Sequence, residues 1–236
     1  MEKLLLDRLR WWRDYAPRYG PAMMDCALGS DDDWERIRAN GRKELDRALA
    51  VSQMRTGSDR AVLEIGCGLG RLAFALANHF GAVLGLDVSP DLIRRAVAAN
   101  DRPNVSFEVT DGHRIQPEQA RKWDCVFSYE VFHYVERATL DQYFRDVHAL
   151  LVPGGQLVFE VNTVPLTWRT RLVSGARYFL HLCGKRYWRG WPTAPGFRRK
   201  YHPIQILRNM LQNAGFRLER LVDANRKQTW FVASKP

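Results

Sequence analysis

The chain has 236 residues, of which 46% are hydrophobic, and its formal net charge is +10. That length and composition suffice for one α/β domain with a full core. Its apolar runs are shorter than the roughly 20 residues that cross a bilayer, and its N-terminus lacks an apolar segment of signal-peptide type. Its four cysteines lie far apart, with no C-x-x-C pair or histidine cluster, so neither a zinc site nor a disulfide framework is expected. These features predict a soluble, cytoplasmic protein without a bound metal.

Two helical stretches open the chain, at residues 2–15 and at about residues 33–54. Ser30 and the acidic run at residues 31–33 favour a capped start for the second helix, because short polar side chains and negative charge stabilise a helix N-terminus. We expect residues 1–58 to form a helical cap on a core that spans residues 59–236.

Strands and helices then alternate, which predicts a parallel sheet with helices on both faces. The expected strands are 61–65, 82–87, 105–109, 124–129 and 156–162, and the expected helices are 71–80, 91–100, 139–151 and about 204–213. Ser89 and Pro90 supply an N-cap and a first-turn proline for the second of these helices. The chain closes with two apolar runs around a polar turn near Asn225, which indicates an antiparallel hairpin.

A glycine-rich turn lies between the first strand and the next helix, in the run VLEIGCGLGRL at residues 62–72. Gly66, Gly68 and Gly70 allow positive φ angles and bring backbone N–H groups close to a ligand. Asp87, at the end of the next strand, is placed to accept hydrogen bonds from ribose hydroxyls. The glycine turn and Asp87 together indicate a nucleotide-like cofactor, although the glycine spacing alone also fits nicotinamide and flavin enzymes.

Glu64 extends the motif to E-x-G-x-G-x-G, and here the sequence resembles the class I, seven-stranded Rossmann-like S-adenosylmethionine-dependent methyltransferases of the small-molecule type. The pair Asp111-Gly112, the turn Pro153-Gly154-Gly155 that is expected to stop a helix before the fifth strand, and the closing hairpin match that family in order. The resemblance implies an α/β, three-layer Rossmann-like sandwich with a mostly parallel seven-stranded sheet that ends in an antiparallel hairpin. It also implies that residues 165–203 form an inserted substrate lid.

The same resemblance implies that S-adenosyl-L-methionine is the cofactor and S-adenosyl-L-homocysteine the product. The implied cofactor-binding residues are Tyr15, Tyr19, Glu64, Gly66, Cys67, Gly68, Gly70, Asp87, Val88, Asp111, Gly112 and Ser128. In this scheme Asp111 and Gly112 face the adenine, Ser128 binds the amino group through its backbone, and the two tyrosines donate to the carboxylate. Structural alternatives stay open: Asp111 as a turn former, Glu64 as a helix cap, and the tyrosines as packing for a cap helix.

The run SYEVFHY at residues 128–134 follows the fourth strand, where this family often places residues that face the acceptor. His133 is the main candidate for a general base, since its ordinary pKa suits proton removal at neutral pH. Tyr129 is the second candidate catalytic residue and is expected to line the pocket, and Glu130 is either a base or an anion at a helix start. A purely structural histidine is the alternative.

No acidic residue occurs between Glu160 and Glu219, although eleven arginines and lysines do. Aromatic residues are interleaved with these basic ones, and we select Trp168, Arg198, Arg199 and Tyr201 as candidate acceptor-binding residues. The clustered arginines indicate an acceptor with an anionic group or peripheral contact with an anionic membrane. A solvated cap is the alternative.

The leading hypothesis is a methyltransferase that acts on oxygen, nitrogen or carbon of a small, anionic organic molecule. An RNA methyltransferase is the first alternative, since aromatics and arginines also suit single-stranded RNA. That alternative lacks a recognisable RNA-binding module, and FSYE stands where many amine-methylating nucleic-acid enzymes have N/D/S-P-P-Y/F. The second alternative is a non-catalytic binding or scaffold protein that keeps the cofactor fold.

Overall fold

The structure is a computed structural model, and it describes residues 8–23, 33–118, 122–165, 167–189, 191–197 and 199–236. The α-helices are α1 (Arg8–Asp14), α2 (Trp34–Ser52), α3 (Arg71–Leu76), α4 (Pro90–Ala98), α5 (Arg137–Leu150), α6 (Trp168–Leu182) and α7 (Ile204–Asn213). The strands are β1 (Gly57–Ile65), β2 (Phe80–Asp87), β3 (Val105–Val109), β4 (Trp123–Ser128), β5 (Leu151–Val161), β6 (Tyr187–Trp188), β7 (Trp191–Pro192), β8 (Arg217–Val222) and β9 (Thr229–Ser234). Short 3₁₀ helices lie at Ala16–Met23, Phe132–Tyr134 and Pro195–Phe197.

Seven of the described strands form one sheet in the order β3-β2-β1-β4-β5-β9-β8. The first five strands in this order are parallel, with Leu63 paired to Leu84 on one side and to Val126 on the other. The last two strands, β9 and β8, are antiparallel. This arrangement confirms the predicted mostly parallel, Rossmann-like sheet with a closing hairpin.

The core lies on both faces of this sheet because side chains alternate along each strand. On one face, Leu63 and Phe159 pack with Phe144 of α5 and Leu207 of α7. On the other face, the members of a second cluster are Val62, Phe127 and Val158 of the strands together with Leu45 of α2 and Leu76 of α3. Helix α2, which the sequence assigns to the cap, therefore contributes directly to one of the three layers.

The two predicted helix starts with capping residues are confirmed. The Asp33 side chain accepts a hydrogen bond from the Arg36 backbone N–H at 3.0 Å. The Ser89 hydroxyl accepts one from the Leu92 N–H at 3.4 Å, and Pro90 occupies the first turn of α4. Ser30 and the first part of the predicted helix at residues 2–15 lie outside the described residues, and α1 ends at Asp14.

Two predicted boundaries are wrong. Pro153, Gly154 and Gly155 do not terminate a helix, because α5 ends at Leu150 and β5 begins at once. The pairing of β5 with β4 passes from Leu151 opposite Trp123 to Gln156 opposite Cys125. The three residues therefore form an irregularity inside the strand, where Gly154 adopts φ 76°. The helix predicted at residues 71–80 is also shorter, since β2 already begins at Phe80.

Within the described part of the chain, the helices are too short or too polar to cross a lipid bilayer.

Candidate active site

A cavity of about 340 Å³ lies at the carboxyl ends of β1, β2 and β4. This is the edge where a parallel sheet of this type binds ligands, next to the point at which the strand order reverses. Its wall includes the loop after β1, the end of β2, residues after β3 and β4, and two side chains of α1. The residues that line it include Leu9, Trp12, Glu64, Gly66, Cys67, Gly68, Arg71, Asp87, Val88, Gly112, Tyr129, Glu130, Val131 and Tyr134.

The glycine turn has the backbone that the sequence predicts. Gly66, Gly68 and Gly70 adopt φ angles of 81°, 55° and 77°, in the left-handed region that favours glycine. A Cβ atom at Gly66 would lie 2.3 Å from a methyl group of Val131, and one at Gly70 would lie 2.6 Å from the ring of Phe107. Glycine at these two positions is therefore required by space as well as by backbone conformation.

The expectation that the amides of this turn point at a ligand is wrong for four of them. The N–H groups of Gly66 and Cys67 both donate to the Leu86 carbonyl, at 2.7 and 3.0 Å, and the Gly70 N–H donates to the Cys67 carbonyl at 2.9 Å. The Gly68 N–H donates to Asp87. These bonds hold the turn against β2, so the turn offers a ligand close approach to its backbone rather than these N–H donors.

Asp87 ties the turn to the start of α4. Its Oδ2 accepts from the Gly68 N–H and its Oδ1 from the Ser89 N–H, both at 2.9 Å. The side chain is half-buried in the cavity wall, and burial raises its pKa against the opposing effect of those backbone donors. Each carboxylate oxygen has a second lone pair available, so the residue retains acceptor capacity toward the cavity.

Glu64 is the most unusual group in the wall. It is 3% exposed, and its Oε2 has no hydrogen-bond partner among the described residues. Burial raises the pKa of this carboxyl to about 8, although Arg71 favours the charged form, and nearby Asp87 adds to the increase. Such an acid at a cavity is suited to a ligand that carries a positive charge.

The other predicted cofactor residues divide into two groups. Cys67, Val88 and Gly112 line the cavity. Asp111 does not, and its Oδ1 instead accepts from the N–H groups of His113 and Arg114, at 2.8 and 3.0 Å. Ser128 is fully buried behind the wall, with its hydroxyl donating to the Ile65 carbonyl at 3.1 Å. The hydrogen bonds of Asp111 fit the turn-forming alternative that the sequence left open.

The N-terminal segment approaches the cavity with residues that the sequence analysis did not select. Leu9 and Trp12 of α1 line the wall, three residues apart on one side of the helix. Tyr15 packs instead in a separate cluster with Trp11, Trp12 and Phe197. The side chain of Tyr19 lies outside the described residues. The apolar i, i+3 spacing of Leu9 and Trp12 was the signal available in the sequence.

Neither predicted catalytic residue presents its acid–base group to the cavity. The Tyr129 ring lines the wall and stacks on Trp230 at 5.6 Å, but its hydroxyl contacts Glu44 and accepts from Gln228 at 3.2 Å. His133 is fully buried outside the wall, and burial, followed by the charge of Arg199, lowers its pKa well below the ordinary value. The structure therefore corrects both assignments.

A charged cluster lies behind this part of the wall and includes Glu160, which sequence analysis missed. One carboxylate oxygen each of Glu130 and Glu160 and one ring nitrogen of His133 lie within 4.8 Å of one another. The Arg199 guanidinium forms an ion pair with Glu130, and the Glu130 N–H donates to Glu160 at 3.2 Å. Arg199 thus balances negative charge that burial would otherwise penalise. Of the three acidic or basic groups at residues 130, 133 and 160, Glu130 is the one in the cavity wall.

The four predicted acceptor-binding residues do not converge on the cavity. Trp168 is 66% exposed on α6, and Arg199 is engaged by Glu130. Tyr201 is partly buried, and its carbonyl accepts from Arg137 at 3.2 Å. Arg198 lies outside the described residues.

Comparison with known proteins identifies this architecture. Residues 62–155 match the family model described as a methyltransferase domain. A ubiquinone biosynthesis O-methyltransferase of Coxiella burnetii is 30% identical over 143 residues, which are 59% of this chain and 59% of that protein. The match thus spans about three fifths of the relative's length.

Solved structures show the same fold. An S-adenosylmethionine-dependent methyltransferase from Mesorhizobium loti superposes with a TM-score of 0.61 at 21% identity, covering 81% of this chain and 97% of that one. Magnesium protoporphyrin IX methyltransferase from Synechocystis PCC 6803, solved with S-adenosylhomocysteine bound, gives a TM-score of 0.58 at 18% identity, covering 95% and 98%. With its sheet order, glycine turn and matched domain, this chain is similar to the class I, Rossmann-like S-adenosylmethionine-dependent methyltransferases.

Proposed function

We propose that the protein binds S-adenosylmethionine in the 340 Å³ cavity and catalyses methyl transfer to a small organic acceptor. The observation that carries this proposal is Glu64, a buried acid whose Oε2 has no hydrogen-bond partner among the described residues. It lies beside a glycine turn in which a Cβ atom at Gly66 or Gly70 would clash with neighbouring side chains. A cationic ligand that needs close backbone approach fits this wall. When bound, that cofactor supplies an already activated methyl group, so the protein mainly has to orient the acceptor and exclude water.

Each wall residue has a proposed part in holding the cofactor. Asp87 binds the ribose hydroxyls with its remaining lone pairs, and Glu64 balances positive charge. Gly66 and Gly68 permit close contact, while Val88 and Gly112 pack against the adenosyl group. The roles assigned to Tyr15, Tyr19, Asp111 and Ser128 stay predictions, and Leu9 and Trp12 are added as apolar cover from α1.

For the acceptor we propose a small molecule that is methylated on a hydroxyl group. The name of the Coxiella relative, which refers to ubiquinone biosynthesis and to O-methylation, supports a small acceptor and oxygen as the methylated atom. Arg199 is one of the arginines that indicated an anionic acceptor, but its guanidinium already pairs with Glu130. Arg199 therefore gives no support to an anionic acceptor.

The first test is cofactor binding. We expect Asp87→Ala to weaken binding of S-adenosylhomocysteine by about 1.5–3 kcal/mol, because hydrogen bonds to a charged group have that worth. Isothermal titration calorimetry measures the change. Asp46→Ala, an exposed aspartate on α2, is the matched control and should bind normally. Equal affinity of wild type and Asp87→Ala would refute the assignment of this cavity.

The second test concerns catalysis. A hydroxyl acceptor has to lose a proton, and we propose Glu130 as the base because it is the acid of its cluster that lines the cavity. Glu130→Gln should lower kcat roughly 10²- to 10⁴-fold while the affinity for S-adenosylhomocysteine stays the same. Turnover is followed as S-adenosylhomocysteine formed from a panel of small phenols and alcohols. An unchanged kcat would remove Glu130, and normal cofactor binding without turnover of any acceptor would favour the non-catalytic alternative.

A further inference from the structure

Helix α6 has its apolar side turned toward solvent. Trp168, Leu172, Phe179 and Leu182 follow one another at spacings of four, seven and three residues, so they lie along one stripe of a helix with 3.6 residues per turn. Their exposed fractions are 66%, 64%, 65% and 60%. We call these four residues the α6 stripe. All fifteen residues of the helix are exposed or partly exposed.

The opposite side of α6 faces the protein, and most of its partly buried residues carry polar groups: Ser174, Arg177, Tyr178 and His181, with Leu180 as the aliphatic member. The His181 ring nitrogen Nδ1 lies 3.5 Å from the Thr193 hydroxyl. A helix at the surface of a globular protein usually shows the reverse pattern, with its apolar side against the core. The orientation of α6 therefore leaves a large apolar strip for something outside the described residues to cover.

Positive charge surrounds this strip. Arg169 and Arg171 are exposed on the first turn of α6, and Lys185, Arg186 and Arg189 are exposed just after its end. The segment between Glu160 and Glu219 contains no acidic residue to offset them. The Arg169 guanidinium lies 5.3 Å from the ring of Trp168, and that of Arg189 lies 5.0 Å from the ring of Trp188. Charged heads beside amphipathic rings are typical of helices that lie in a membrane interface.

We propose that α6 docks the protein on the surface of an anionic lipid bilayer, with the α6 stripe inserted among the acyl chains and the basic residues at the headgroups. Among possible occupants, a bilayer alone offers an apolar phase next to a layer of negative charge. RNA supplies the charge without the apolar phase. A second copy of the chain supplies apolar surface, but it would bring two acid-free basic segments together.

The test is flotation of the full chain with phosphatidylcholine vesicles that contain or lack phosphatidylglycerol. Wild type should float with the anionic vesicles and less with the neutral ones. Leu172→Glu/Phe179→Glu should weaken binding by at least about tenfold, since it places two negative charges in the stripe. Val97→Glu is the matched control, because Val97 is 53% exposed on α4, away from the basic segment. Circular dichroism and thermal melting of each variant establish that it is folded.

A second pair of variants tests the charge without touching the stripe. Arg169→Ala/Arg171→Ala should weaken binding to anionic vesicles roughly 25-fold at low salt, since each basic residue near such a surface is worth about fivefold. Arg42→Ala/Lys43→Ala, an exposed basic pair on α2, should bind like wild type. Brominated lipid in the vesicles should quench the tryptophan fluorescence of the bound protein, and Trp168→Phe should show less of this quenching than wild type.

The proposal is overturned if wild type does not bind anionic vesicles, or if the α6 variants and their controls bind alike. Light scattering that shows a dimer dissociated by Leu172→Glu/Phe179→Glu, without vesicle binding, would assign the stripe to a second copy. Oligonucleotide binding that depends on Arg169 and Arg171, without vesicle binding, would assign the basic residues to RNA. None of these measurements requires methyl transfer, so they are independent of the proposed function.

Discussion

Glu64 is held in an environment that disfavours its charge. Its pKa of about 8 means that much of it is protonated at neutral pH, with burial as the main cause. A bound cation beside Oε2 would lower that pKa and release the proton. Under the proposed function, Glu64 therefore couples cofactor binding to proton release.

We expect binding of S-adenosylmethionine at pH 7 to release roughly one proton. Isothermal titration calorimetry in phosphate and in Tris, whose ionisation enthalpies differ, measures this number. Glu64→Gln should bind with nearly the same apparent enthalpy in both buffers, because it has no proton to release. If wild type also shows no buffer dependence, Glu64 does not face the cationic part of the cofactor.

The same shift has a consequence for stability. Since the folded-state pKa lies above the ordinary value of 4.5, the folded state holds the proton more tightly, and stability decreases as pH rises from about 4.5 to about 8. Glu64→Gln removes that loss, so the unfolding free energy of the ligand-free variant should exceed that of wild type by at least about 1 kcal/mol at pH 8. Urea unfolding at pH 5 and pH 8 checks the difference, which should be smaller at pH 5.

At the scale of elements, the position of α3 under the cavity depends on its close crossing with α2. A Cβ atom at Gly41 of α2 would lie 2.0 Å from the carbonyl oxygen of Arg71. Arg71 begins α3, and its side chain lines the cavity. Its guanidinium donates a hydrogen bond to Asn40 Oδ1 at 2.5 Å. Glycine at position 41 therefore lets α2 hold the start of α3 beside the glycine turn.

We expect Gly41→Ala to reduce the free energy of unfolding by about 1–3 kcal/mol, because the added methyl group has to displace backbone. Gly175→Ala on α6 is the matched control, since a Cβ there meets nothing within 4 Å. The control should be as stable as wild type or more stable by up to about 1 kcal/mol, the difference in helix propensity. Urea unfolding of both variants compares them, and equal stability would contradict the tight crossing.

At the scale of the whole molecule, the cavity and the basic segment between Glu160 and Glu219 lie at the same edge of the sheet. The cavity is at the carboxyl ends of β1, β2 and β4, and the segment with α6 leaves the carboxyl end of β5. The ion pair between Arg199 and Glu130, and the hydrogen bond from the Lys200 N–H to the His133 carbonyl at 2.6 Å, join that segment to the loop after β4. If α6 docks on a bilayer as proposed, this edge of the sheet faces the membrane side of the protein.

The sequence by itself determined the class of fold, the order of most elements and the glycine turn. These features depend on local properties: apolar periodicity, the capping residues Asp33 and Ser89, and the positive φ angles at Gly66, Gly68 and Gly70. The motif and the closing hairpin also sufficed to show the resemblance to methyltransferases, and the match of residues 62–155 to a methyltransferase domain agrees with it. Each signal lies in a few neighbouring residues, so it is readable without knowledge of distant contacts.

Only the tertiary structure decided which groups face the cavity. The amides of Gly66 and Cys67 donate to the Leu86 carbonyl, which is twenty and nineteen residues away along the chain. His133 is enclosed by a cluster that includes Glu160 and Arg199. The outward direction of the α6 stripe likewise follows from what packs against the other side of the helix. Hydrogen-bond partners, burial and side-chain orientation depend on residues far apart in sequence, and these are set when the layers pack together.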